Sequence, residues 1–114
     1  MAERRVHWSQ NAERDLEDIV DYIATESPLN ALRVFDRLHE QARKLETFAE
    51  RGRRVPELPA DSEPRLRELV MAPWRLIYAL NTDTVLVIAV VDCRRDIDAW
   101  LTQRPALAEP PSSI

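Results

Sequence analysis

The chain has 114 residues and a mass of 13.2 kDa, and its 20 acidic and 16 basic residues give a formal net charge of −4. This length allows one domain with one hydrophobic core, and the acidic total argues against a surface that coats nucleic acid with positive charge. Gly52 is the only glycine and Cys93 the only cysteine, which excludes a glycine-rich phosphate loop, an internal disulfide and a cysteine-based zinc site. With only two histidines in addition, we predict neither a metal site nor a cofactor.

The first half of the sequence predicts a strand followed by a helical hairpin. Alternation over residues 4–8 indicates a short strand, and Ser9 is placed as the N-cap of a helix. Ser27 and Pro28 end this helix and begin a second one, which Gly52 is placed to terminate. The apolar stripe of the first helix is Ala12, Leu16, Ile19, Val20 and Ile23, and that of the second is Leu32, Phe35, Leu38, Ala42 and Leu45.

The second half predicts an antiparallel sheet. Prolines mark residues 53–64 as a loop, and three strands joined by short turns are predicted over residues 66–70, 74–80 and 84–91. The last strand is apolar on both faces, so we expect it in the interior of the sheet. The predicted fold class is α+β, with an N-terminal strand and an antiparallel helical hairpin packed on a small, mainly antiparallel sheet.

The C-terminal part of the sequence is expected to add little to this core. A short helix is predicted over residues 96–101, and residues 105–114 are expected to form a flexible tail. Residues 1–104 would then be a single domain. The longest apolar run, residues 85–91, is far too short to cross a membrane, and no signal-peptide core is apparent. We therefore expect a reduced, cytoplasmic protein without membrane contact.

Arginines in two predicted turns are candidate partner contacts. One group includes Arg53 and Arg54, and the other is Arg94 and Arg95, directly after the last predicted strand. Arginine binds carboxylates and phosphates through a planar fork of donors. The alternatives are capping of helix carbonyls and solvation for the first group, and ion pairs with neighbouring acids for the second. Trp100 is the best candidate for an exposed interface anchor.

Two further sets of residues have weaker functional interpretations. Arg75 and Tyr78 are three positions apart on one predicted strand, so they point to opposite faces unless a bulge intervenes. This weakens any catalytic pair that they could form, and Tyr78 is expected in the core with its hydroxyl satisfied. The carboxylates of the first helix are interpreted as a solvated acidic face rather than a metal cluster. They are Asp15, Glu17, Asp18 and Asp21.

The order of these segments carries a family resemblance. The stretch VHWSQNAERDLEDIVDYIATESPLNALRVFDRL resembles the N-terminal half of the ParE branch of ParE/RelE toxins, from bacterial type II toxin–antitoxin modules. LETFAERGRRVPEL looks like the loop after that family's helical hairpin, LRELVMAPWRLIYAL resembles its second and third strands, and VLVIAVVDCRRDI resembles its last strand and arginine turn. The resemblance covers nearly the whole chain, and the complete series in order is more specific than any one piece.

The resemblance implies a toxin that is neutralised by a cognate ParD-like antitoxin. ParE-type toxins inhibit DNA gyrase, and operator DNA would be contacted only indirectly, through the antitoxin. Arg53, Arg54, Arg94 and Arg95, with Trp100, are the first choices for the antitoxin interface, because such antitoxins tend to be acidic. The antitoxin segment is also expected to fill an apolar groove beside the helical hairpin.

The resemblance leaves two other functions open. RelE-type relatives cut messenger RNA on the ribosome, and such an activity here would rest on Arg75, Tyr78, Arg94 and Arg95. Asp92 stands where many relatives carry a histidine, and a carboxylate there would repel the phosphate backbone. The chain therefore favours gyrase inhibition without enzymatic activity over ribonuclease activity. The third possibility is a non-toxic module that only binds an antitoxin-like partner.

Overall fold

A helical hairpin packs on one face of a five-stranded sheet in residues 3–58 and 65–92, which are the residues that this computed structural model describes. This arrangement confirms the predicted α+β class. The elements in chain order are β1 (Arg5–Trp8), α1 (Gln10–Ala24), α2 (Pro28–Arg43), β2 (Arg53–Arg54), β3 (Leu66–Met71), β4 (Trp74–Leu80) and β5 (Thr84–Asp92).

The strand order across the sheet is β1-β5-β4-β3-β2. β1 runs parallel to β5, and all other neighbours are antiparallel. β5 therefore has a strand on each side, as its apolar character on both faces predicted. β2 is a correction, because Arg53 and Arg54 were placed in a loop. Arg53 pairs with Glu68 and Arg54 with Arg67, so a partner strand far along the chain turns these two residues into an edge strand.

Both predicted helix starts are confirmed. The Ser9 hydroxyl accepts a hydrogen bond from the Ala12 N–H at 3.0 Å, and the Ser27 hydroxyl accepts one from the Asn30 N–H at 3.1 Å. Each bond satisfies an amide that has no partner within the helix. These two caps fix where the helices of the hairpin begin.

The predicted end of the second helix is wrong, because α2 stops at Arg43 and two short 3-10 turns, Lys44–Glu46 and Ala49–Arg51, follow it. Gly52 has φ −75° and ψ 157°, which is extended backbone rather than a left-handed cap. Its lack of a side chain serves a close approach instead. A Cβ at this position would lie 2.7 Å from the Glu68 carbonyl oxygen and would collide with the Tyr78 hydroxyl.

The helices and the sheet share one core. It contains small and aliphatic side chains of both helices together with Leu76, Tyr78 and Val87 of the sheet. On α2 the buried side chains are Ala31, Leu38 and Ala42. Leu32 and Phe35 were predicted to join them, yet Leu32 is 60% exposed and Phe35 is 38% exposed. The face of α2 that packs is centred on Ala31 and Leu38, so these two larger residues lie on its flank.

The opposite face of the sheet carries a second apolar cluster, which includes Val55, Leu66, Ile77 and Ile88. A register shift opposite the Ile77–Tyr78 step is a β-bulge in the β4–β5 pairing. None of the helices within the described ranges combines the length and apolar character needed to span a membrane. The predicted helix over residues 96–101 and the tail over residues 105–114 lie outside the described residues.

Candidate partner-binding groove

A groove of about 390 Å³ lies between one side of α1 and the edge of the sheet. One wall is a face of α1, and the other wall is formed where β4 begins and β5 ends. The α1 residues recur at spacings of three and four, which places them on one side of the helix. The lining consists of Asp15, Asp18, Ile19, Tyr22 and Ile23 from α1, and of Pro73, Trp74, Val90, Val91 and Asp92 from the sheet.

The end of β1 creates this groove. β1 follows β5 only as far as the pair Trp8–Val87. There the chain turns into α1, with the Ser9 N–H donating to the Val87 carbonyl at 2.9 Å and the Ser9 hydroxyl donating to the Ile88 carbonyl at 3.3 Å. Beyond Val87, contacts from the start of α1 therefore take the place of strand pairing on this side of β5. The remainder of β5 faces α1 on this side and pairs with β4 on the other.

Asp15 accepts a hydrogen bond from the part of the β5 edge that β1 does not cover. Its Oδ2 accepts a hydrogen bond from the Val90 N–H at 3.1 Å, in a partly buried position. A carboxylate that accepts a backbone N–H of this kind both positions α1 on β5 and keeps negative charge in the groove. The interpretation of the α1 carboxylates as a solvated face is therefore corrected for Asp15, which is partly buried and hydrogen-bonded. It holds for Asp18, which is exposed although it lines the groove.

An apolar groove was expected beside the helical hairpin. The groove observed lies beside α1, but its lining includes three carboxylates. Tyr22 is 75% exposed, and Ile19, Ile23 and Trp74 are half-buried. The sequence signal was available, because Asp15, Asp18 and Tyr22 recur at i, i+3 and i+7 beside the apolar stripe of α1. It was missed because nothing in the sequence shows that β1 stops short of β5's end.

Arg53 and Arg54, predicted as partner contacts, lie on opposite faces of β2. The Arg53 Nε donates to Glu68 Oε2 at 2.6 Å, while the Arg53 side chain remains 61% exposed. Arg54 lies across from Arg67 in the β2–β3 register. The two arginines therefore do not form one patch, and Arg53 already has an internal carboxylate. Arg94, Arg95 and Trp100 lie outside the described residues.

Arg75 is held by two carboxylates of the same chain, the buried Glu68 and the partly exposed Glu57. Its Nε donates to Glu68 Oε1 at 2.6 Å, and its two terminal nitrogens donate to the Glu57 oxygens at 2.8 and 2.6 Å. The hydrogen bonds with Glu57 and then Glu68 raise the pKa of Arg75 above its ordinary value. The same contact with Arg75 lowers the pKa of Glu57. Arg75 is 5% exposed and Glu68 1%, so this network ties β2, β3 and β4 together.

Tyr78 is fully buried on the other face of the sheet. Its hydroxyl donates to the Ala49 carbonyl at 2.7 Å and accepts from the Gly52 N–H at 3.0 Å. Burial raises the pKa of Tyr78. The structure thus places Arg75 and Tyr78 on opposite faces, each bonded internally, and does not bring them together. Among the described residues there is also no group of three or more His, Cys, Asp or Glu side chains that could hold a metal ion.

The hairpin-on-sheet fold defines a small α+β domain that carries a groove lined by carboxylates, aromatic rings and aliphatic side chains. A family model for the ParE toxin of the parDE type II toxin–antitoxin system matches residues 6–97. The chain therefore belongs to the ParE toxin family of type II toxin–antitoxin systems. This confirms the resemblance seen in the sequence, and it makes an antitoxin the implied partner.

A solved structure supports the fold independently. The chain is similar to a protein in the structure described as a chromosomal ParDE toxin–antitoxin system from P. aeruginosa, with 22% sequence identity and a TM-score of 0.63. The match covers 79% of this chain and 96% of that chain. The comparison with curated protein sequences gives no match.

Proposed function

We propose that this toxin inhibits DNA gyrase without acting as an enzyme, and that a ParD-like antitoxin holds it inactive in the cytoplasm. Membership of the ParE family supports the toxin role. One geometric observation favours gyrase inhibition over RNA cleavage. Arg75 and Tyr78, the described members of the alternative catalytic set, point to opposite faces and are both bonded internally. General acid–base catalysis requires such groups to meet at one substrate.

A supercoiling assay tests the gyrase proposal. Purified toxin is added to gyrase, ATP and relaxed plasmid, and we expect loss of supercoiling together with accumulation of cleaved DNA–gyrase complexes. Toxin that has been mixed with its antitoxin beforehand is the control, and it should leave supercoiling intact. Full supercoiling at saturating free toxin would refute the proposal.

RNA cleavage remains the second candidate, through Arg94 and Arg95 with Arg75 and Tyr78. A translating extract with a defined message distinguishes it, because a ribosome-dependent ribonuclease would cut the message and Arg94→Ala or Arg95→Ala would abolish the cuts. We expect the message to stay intact. Growth arrest on expression without the antitoxin would exclude the third candidate, a non-toxic binding module.

The antitoxin is proposed to contact the groove and, separately, the arginines Arg53, Arg54, Arg94 and Arg95, with Trp100 as an anchor. Arg53 cannot be tested by charge reversal, because a carboxylate there would face the buried Glu68. Neutral substitutions are better. We expect Arg53→Gln combined with Arg54→Gln to weaken antitoxin binding, whereas Arg43→Gln, at an exposed ion pair on α2, serves as the matched control. Equal affinities for the two variants would contradict this contact.

A further inference from the structure

The groove between α1 and the sheet combines negative charge with aromatic rings. Asp15, Asp18 and Asp92 contribute carboxylates, and Tyr22 and Trp74 contribute the rings. Among the described residues that line it, none is an arginine or a lysine. Carboxylates and the faces of aromatic rings both attract cations, and a guanidinium or ammonium group can use both at once.

The three carboxylates differ in what they can offer to a ligand. Asp15 already accepts the Val90 N–H through Oδ2, and Asp92 lies on β5, directly across from Trp74 in the β4–β5 register. Asp18 is exposed on α1, three positions after Asp15 and four positions before Tyr22. Asp18 and Tyr22 are therefore neighbours on the helix surface, and they stand at the open side of the groove.

We propose that this groove binds an arginine or lysine side chain of the antitoxin segment, with aliphatic side chains of the same segment packed beside it. The proposal rests on neutralisation by an antitoxin, as set out above, and adds the chemistry that the groove recognises. Asp18 and Tyr22 contact the cation, and the aliphatic lining, Ile19 and Ile23, contacts the apolar neighbours. The volume of about 390 Å³ is at the scale of side-chain and small-ligand pockets.

Charge selects this occupant over the alternatives. An acidic segment would bring like charges against three carboxylates while losing their hydration, which is unfavourable. A wholly apolar segment would cover Asp18 and leave its charge without a partner. A cation flanked by aliphatic side chains satisfies both parts of the lining. The acidic residues of the antitoxin are then left for the arginines outside the groove.

Affinity measurements on paired variants test the proposal. The full chain and its candidate ParD-like antitoxin are purified separately, and Kd is measured for wild type, Asp18→Asn and Asp21→Asn. The two variants make the same chemical change at positions three residues apart on α1, but of the two only Asp18 lines the groove. We expect Asp18→Asn to raise Kd about five- to tenfold and Asp21→Asn to change it less than about twofold.

Tyr22 gives a second and independent readout. Tyr22→Phe keeps the ring and should change Kd little, whereas Tyr22→Leu removes the ring face and should raise Kd about threefold or more. Replacing each arginine and lysine of the antitoxin by glutamine should identify one whose effect is lost when Asp18 is already Asn. The urea midpoint of each toxin variant should match wild type, because both residues are exposed.

The outcomes separate this proposal from the function on which it rests. No binding between wild-type toxin and antitoxin would overturn both. Binding by wild type, with equal Kd for Asp18→Asn and Asp21→Asn, would overturn the cation site and leave antitoxin neutralisation standing. The cation site would also be overturned if every basic-residue substitution in the antitoxin changed the free energy of binding by the same amount in wild type and in Asp18→Asn.

Discussion

Single residues in this domain have roles that their chemical type alone does not reveal. Tyr78 and Gly52 form one contact, in which the glycine leaves room for the phenol and its N–H donates to the hydroxyl oxygen. Sequence alternation correctly predicted that Tyr78 is buried and that it points away from Arg75. The role of Gly52 as a site of close approach was not predictable, because residues 52 and 78 meet only through tertiary packing.

Removing the Tyr78 hydroxyl should destabilise the fold. Tyr78→Phe leaves the buried Ala49 carbonyl and Gly52 N–H without their partner, and we expect a loss of about 2 kcal/mol in the free energy of unfolding. Urea unfolding measures this, with Tyr22→Phe at a 75% exposed tyrosine as the control. A loss no larger than that of the control would contradict the assigned hydrogen bonds.

The burial of Tyr78 also predicts that the free energy of unfolding depends on pH. The pKa of Tyr78 is raised in the folded state, so the unfolded chain releases this proton first as the pH rises past about 10. The stabilisation is present below that pH and is lost above it. The stability difference between wild type and Tyr78→Phe should therefore shrink at alkaline pH, which urea unfolding across this pH range measures.

Glu57 should show the opposite pH dependence. Its pKa is lowered in the folded state by the hydrogen bonds from Arg75, so its stabilisation is present above the ordinary glutamate pKa of about 4.3 and disappears as the pH falls. We expect Glu57→Gln to cost about 0.5–1 kcal/mol at neutral pH, because solvent screens this partly exposed pair, and little in strong acid. Glu40→Gln, at an exposed pair with Arg43, should have a smaller effect at neutral pH. An unchanged difference at acidic pH would contradict this interpretation.

At the scale of elements, the helix starts and the three long strands were predictable, whereas the end of α2 and the strand β2 were not. Ser9 and Ser27 act through amides only three positions away, so local sequence is sufficient to place them. The end of α2 and the strand β2 depend on packing against distant residues. The same holds for the buried face of α2, where periodicity allowed several stripes and the sheet selected the one with Ala31, Leu38 and Ala42.

The two leucines of α2 provide a direct test of that face. Leu38 is 1% exposed and Leu32 is 60% exposed. Leu38→Ala should therefore reduce the free energy of unfolding by about 2–5 kcal/mol, whereas Leu32→Ala should change it by less than about 0.5 kcal/mol. Chemical denaturation of both variants gives the comparison, and similar losses for the two would show that the packing face is wrongly assigned.

At the scale of the whole molecule, one core joins the hairpin to the sheet. Side chains of α1, α2 and three strands belong to a single cluster, and β1 pairs with β5 although the two strands are far apart in the chain. The groove is a consequence of this topology. It exists because β1 is shorter than β5, so that α1 and its carboxylates occupy the place beyond Trp8.

This shared core predicts cooperative unfolding. Far-UV circular dichroism follows mainly the helices, and tryptophan fluorescence reports in part on Trp8 and Trp74, both half-buried beside the core. We expect the two transitions to coincide in urea, because neither layer keeps its apolar face covered without the other. Separate midpoints would show that the helical hairpin is stable apart from the sheet.

The sequence by itself determined the fold class, the helix starts, the three long strands and the ParE family, because caps, periodicity and turn residues act over a few neighbouring positions. Only the tertiary structure decided the ion pairs of Arg53 and Arg75, the role of Gly52 and the acidic groove beside α1. Each of these depends on residues that are 7 to 75 positions apart in the chain. Their proximity follows from the register of the sheet, which no local pattern specifies.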